Sequence, residues 1–100
     1  MLYFVSYDAA HMPESFVETL ASLGENLYAY PGAVLLNAEL TAYGVRKRLL
    51  PFTGANVCFA VVQMYRGHAA GRLLPKQKAF VKKFILPDPA LRFRDIYGRD

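Results

Sequence analysis

Apolar positions change period several times along the chain. Leu2–Asp8 (LYFVSYD) is aromatic and β-branched and stops at the polar segment Asp8-Ala9-Ala10-His11-Met12, which predicts a first strand. Pro13 suits the first turn of a helix in which Phe16, Val17, Leu20 and Leu23 recur at helical spacing. Glu14, Glu18 and Glu25 fall opposite, and Gly24 stands near its end. Asn26–Tyr30 and Ala33–Ala38 flank Pro31-Gly32, a pair that presets a turn, so a hairpin follows. Thr41 is placed to cap a short helix with Ala42, Val45 and Leu49 inward, ended by Pro51 and Gly54. Asn56–Tyr65 (NVCFAVVQMY) is the most strand-like stretch of all.

Strand, helix, strand, strand, helix, strand is the order of an α+β, ferredoxin-like βαββαβ domain: a four-stranded antiparallel sheet with both helices on one face. This core is assigned to residues 1–66. Residues 67–100 form a basic helical extension, expected to pack on the core or on a partner protomer. In it, Pro75–Leu86 sets Phe80, Val81, Phe84 and Ile85 against a lysine side, and Leu91-Arg92-Phe93-Arg94 alternates as a short terminal strand would.

The strands do not alternate apolar with polar as a sheet covered on one face should. Leu2, Phe4 and Ser6 oppose Tyr3, Val5 and Tyr7, while Cys58, Ala60 and Val62 oppose Val57, Phe59 and Val61. Both faces read as buried. Two helices cover only one of them, so the other requires the third helix folded back or a second protomer, and a homodimer is the favoured expectation.

One hundred residues make one ordinary domain, and 54% hydrophobic residues exclude disorder of the whole. The longest strictly apolar run, Val57–Val62, is far short of the roughly 20 residues of a membrane span. The first residues carry Asp8 and no basic cluster, unlike an export signal, so a cytoplasmic location is expected. A single cysteine, Cys58, excludes an internal disulfide and a cysteine-rich zinc site.

Charge is segregated. Asp8, Glu14, Glu18, Glu25 and Glu39 precede the first cation, Arg46. From there to Pro87 stand Arg46, Lys47, Arg48, Arg66, Arg72, Lys76, Lys78, Lys82 and Lys83, with no carboxylate. Together these nine residues could neutralise phosphates, giving sequence-independent, salt-sensitive nucleic-acid binding, DNA or RNA. An acidic protein partner or an anionic membrane surface suits the same charge.

Catalytic candidates are sparse. Asp8 ends a strand where a carboxylate is rigid yet solvated, and it could bind a divalent cation that polarises a phosphate, given a partner carboxylate. His11 could act as ligand or proton shuttle, but neither it nor His68 belongs to a known metal spacing. Apolar neighbours suggest that Cys58 is an inert core thiol. Ser6 and Ser15 have no nucleophile-elbow context, and Gly67–Arg72 lacks the spacing of a phosphate loop.

In order and spacing, Leu2–Asp8, the helix ending Leu23-Gly24, the hairpin strand Ala33–Asn37 and the strand Asn56–Met64 resemble a known group. It is the small CRISPR-associated ferredoxin-like family that partners the spacer integrase, especially its SinR-like relatives, and the resemblance spans about residues 1–66. It implies a homodimer joined through its sheets, a C-terminal strand that can pair with the partner's sheet, and nucleic acid bound along a basic surface. In members with nuclease activity the aspartate ending the first strand coordinates a metal ion across the dimer axis, and Asp8 matches that position. The chain departs from the family in lacking an arginine in the first helix and in carrying the Gly67–Leu86 insertion.

The expectation is a non-catalytic nucleic-acid-binding dimer needing no cofactor. Its alternatives are a magnesium- or manganese-dependent endonuclease using Asp8 across a dimer axis, and a protein–protein interaction module or inhibitor of a host defence complex.

Overall fold

Pleat alternation along β1 (Leu2–Tyr7) sends Tyr3 and Val5 to one side of a sheet and Leu2 and Phe4 to the other. The computed structural model describes residues 1–54, 56–68 and 70–87. In it β1 pairs antiparallel with β3 (Ala33–Asn37) and β4 (Phe59–Gln63), and β3 pairs antiparallel with β2 (Glu25–Tyr30). The four strands lie in the order β2-β3-β1-β4. Val5 stands opposite Val34 and Val61, and Phe4 opposite Leu35 and Val62, so the central strand has apolar neighbours on both faces.

Two helices cover the first face. α1 (Glu14–Ser22) inserts Phe16 and Leu20, and α2 (Ala42–Leu49) inserts Val45 and Leu49, against Tyr3, Val5, Val34 and Leu36. Phe16 packs between Tyr7 and Phe59, with ring centroids 5.3 Å from each. Val17, assigned by spacing to the buried stripe, is exposed instead, because the inward arc of this short helix holds only one residue per turn. Thr41 caps α2 as expected, its Oγ1 accepting from Gly44 N at 3.0 Å. The Tyr3 hydroxyl donates to the Leu40 carbonyl and ties β1 to the start of α2. This small α+β arrangement is compatible with a ferredoxin-like fold.

Two glycines are set by their surroundings. Gly32 has φ +82°, and a Cβ there would lie 2.5 Å from the Tyr7 carbonyl oxygen, which fixes glycine after Pro31 in the hairpin turn. A Cβ on Gly24 would lie 2.1 Å from the Asn37 carbonyl oxygen, where β2 leaves α1.

α3 (Pro75–Phe84) folds back over β2 and β3 on the second face of the same chain. Phe80, Val81, Phe84 and Ile85 are half-buried there as their spacing predicts, but the buried residue of the helix is Gln77. Its amide Nε2 donates to the Ala29 carbonyl at 2.7 Å and the Tyr28 carbonyl at 3.4 Å, while its Oε1 accepts from Leu74 N at 2.9 Å. These carbonyls lie at a break in the β2–β3 register between Tyr28 and Tyr30, where an extra residue leaves backbone groups outside the ladder. After β4, Tyr65 bridges Leu86, and Arg66 N donates to the Leu86 carbonyl at 2.8 Å.

The last core strand is shorter than Asn56–Tyr65: regular pairing runs over Phe59–Gln63. Residues 56–58 lead into it as turn and loop, consistent with Val57 N bonding back to the Gly54 carbonyl. Leu91–Arg94, expected as a terminal strand, lies outside the described residues.

Gln77→Ala should destabilise the protein by about 0.5–1.5 kcal/mol, since it removes the donor from the part-buried Ala29 carbonyl. Urea unfolding measures the loss, and amide exchange should quicken over residues 75–84 before it quickens in β1. Unchanged stability and exchange would show that α3 docks through its apolar side chains alone.

Candidate functional site

The second face is only half covered. α3 stands over β2 and β3, while Ser6, Ala60 and Val62 of β1 and β4 remain exposed, Val62 at 54%. Between α3 and this strip runs a groove of about 620 Å³. Its floor is Phe4, Leu35, Val62 and Tyr30; its wall presents Lys78, Val81 and Lys82 of α3 and Ile85 just beyond it. The segment between β4 and α3 closes one end with His68 and Arg72.

No carboxylate among the described residues lines the groove. Among the described residues the one ion pair is His11–Asp8, so Arg72, Lys78 and Lys82 keep their charge for solvent or a ligand. The Phe4 and Tyr30 rings stand 6.3 Å apart, tilted by 49°, and Tyr30 is half exposed. Strand alternation from Tyr28 would turn Tyr30 toward α1 and α2. The register break shifts it by one position, opposite Ala33, and brings it to the groove.

The nine cations grouped in the sequence are divided by the sheet. Arg46, Lys47 and Arg48 are exposed on α2, on the face opposite α3, with the Arg46 guanidinium 5.6 Å from the Tyr43 ring centre. Arg72, Lys78 and Lys82 line the groove; Lys76 and Lys83 are exposed elsewhere on α3, with the Lys83 ammonium 5.1 Å from the Phe84 ring centre. Arg66 is exposed in the turn after β4. One continuous basic surface is therefore replaced by two separate ones.

Cys58 is exposed, contrary to its apolar sequence neighbourhood. It precedes the edge strand β4, outside the ladder, and lines an open hollow with Ala42, Tyr43 and Arg46 of α2. Its carbonyl accepts from Asp8 N at 3.3 Å.

Asp8 ends β1 in solvent, as its position predicts. Its Oδ1 accepts from Ala10 N at 3.2 Å, and its Oδ2 accepts from His11 Nδ1 at 2.8 Å. Among the described residues no three His, Cys, Asp or Glu side chains are placed to hold a metal ion together. Magnesium or manganese at Asp8 would need ligands from elsewhere, and His11, proposed as a helper, instead engages the carboxylate directly.

Phe4, Tyr30 and Gln77 are not among the site residues expected from the sequence, and nothing in the local sequence signals the register break that brings them together.

The His11 hydrogen bond, more than the backbone donors, holds the Asp8 carboxyl below the ordinary aspartate value. A depressed folded-state value stabilises the protein above the ordinary carboxylate range and ceases to do so as pH falls through the folded value. Carboxyl-detected NMR should place the Asp8 midpoint below the usual aspartate value of about 3.9, and His11→Ala should move it back up. An unmoved midpoint would assign the depression to the backbone N–H groups of residues 10 and 11. No helix among the described residues is long and apolar enough to cross a membrane. Neither a family model, nor a curated protein, nor a solved structure matches this chain.

Proposed function

We propose that the protein is a non-catalytic nucleic-acid-binding module that uses the groove between α3 and the sheet. The observation that carries this reading is the lining itself: among the described residues, three unpaired cations over an aromatic and aliphatic floor, with no carboxylate. Phosphates satisfy such cations without burying them, and binding releases counterions from the nucleic acid, so affinity is set largely by charge and depends on salt. Recognition of a sequence would need donors and acceptors fixed toward base edges; His68, Gln63, Arg72 and the Tyr30 hydroxyl are the groove's groups of that kind, and its other described side chains are lysines and apolar ones, so charge dominates the lining. Arg46, Lys47 and Arg48 on the opposite face serve solubility in this reading.

Affinity should fall linearly on a log–log plot against salt. The double variant K78E/K82E should lower the slope by roughly 1.5, since each phosphate contact contributes about 0.7–0.9. Reversal of Arg46, Lys47 and Arg48 should change it less. Fluorescence anisotropy with labelled oligonucleotides measures both. Equal losses from the two faces would overturn the choice of groove, and affinity indifferent to salt, or co-purification of a stoichiometric protein with no nucleic acid, would overturn the function.

A further inference from the structure

We infer that the groove accepts a single strand, with an unpaired base stacked on Tyr30 or Phe4 and the flanking phosphates held by Arg72, Lys78 and Lys82. This rests on the nucleic-acid reading above and specifies its ligand.

The first support is access. The two rings form part of the floor of a groove walled by α3, and only two strands of the sheet lie open beside that wall, roughly 10 Å at the usual strand spacing. A paired base inside a duplex has both its faces occupied by neighbouring bases and cannot reach a ring at the bottom of such a groove. An unstacked base can, and stacking on an aromatic side chain is worth about 1–3 kcal/mol whatever the base.

The second is ring geometry. Phe4 and Tyr30 are tilted by 49° at a centroid distance of 6.3 Å, too close and too inclined for a base to slot between them, so one base uses one ring's outer surface. Tyr30 offers the larger one, being 51% exposed on the edge strand β2. Its position depends on the register break, and Gln77 holds the carbonyls at that break from α3. The helix that carries Lys78 and Lys82 is thus bonded to the strand segment that presents the ring, which sets the spacing between base and phosphate sites.

The third is the distribution of charge. Lys78 and Lys82 are one helical turn apart on the wall, and Arg72 lies in the segment preceding α3. Cations on a wall above an aromatic floor suit a chain whose backbone lies along α3 and whose bases turn toward the sheet.

The test compares oligothymidylate and oligouridylate with a duplex of equal length by anisotropy, for the wild type and for Tyr30→Ser. Wild-type protein should prefer the single strands, and the substitution should weaken them roughly tenfold while leaving the salt slope unchanged, because it removes a stacking surface and no charge. Ultraviolet cross-linking of the wild type, read by mass spectrometry, should place the adduct on Tyr30 or Phe4, which keeps the inference testable should the variant fold poorly. Salt-dependent binding with no preference for single strands, with no effect of Tyr30→Ser in a folded variant, or with adducts away from both rings would overturn the single-strand inference and leave the binding function standing. Absence of binding to all three probes would overturn both.

Discussion

Because side chains alternate across a strand, the apolar residues of β1 cannot be buried by helices on one side alone. Tyr3 and Val5 meet α1 and α2; Leu2 and Phe4 face away from them, Phe4 with Leu35 and Val62 as cross-strand neighbours. Burial of an apolar side chain contributes about 1.5–3 kcal/mol, so leaving the second face bare would forfeit a large part of a small domain's stability. α3 answers this demand within the chain. It covers the β2–β3 half, and the uncovered half becomes one border of the groove.

The docking of α3 combines a weak apolar contact with a specific polar one. Its apolar side chains are only half-buried, whereas Gln77 is buried and satisfies carbonyls that the β2–β3 ladder cannot. A glutamine suits this position because one amide donates across to β2 while its oxygen accepts from Leu74 at the start of its own helix. Structure and electrostatics are coupled here: the bond that seats the helix also determines where its lysines stand relative to Tyr30.

Much of the fold was legible because its signals are local. The Pro31-Gly32 turn, the Thr41 cap and the helical spacing of Phe16, Leu20, Val45 and Leu49 act over a few residues, and the structure places each as its spacing requires. The candidate site was legible only in part. Lys78, Lys82 and Arg72 stand out by charge, but their separation from Arg46, Lys47 and Arg48 is a matter of which side of the sheet each helix occupies. Cys58 illustrates the same limit: its neighbours are apolar, yet its place just before the edge strand β4, outside the ladder, exposes it.

The sequence by itself determined the elements, the two-sided apolarity of the strands and the segregation of charge, since periodicity and composition are properties of the chain. Tertiary structure decided that α3 covers the second face from the same chain, that the cations divide into two surfaces, and that Tyr30 joins Phe4 beside Lys78 and Lys82. Those outcomes depend on a register break in β2 and on a glutamine reaching across 48 residues to the Ala29 carbonyl. Neither is encoded in any short window, because each is settled by how two distant segments satisfy one another's backbone.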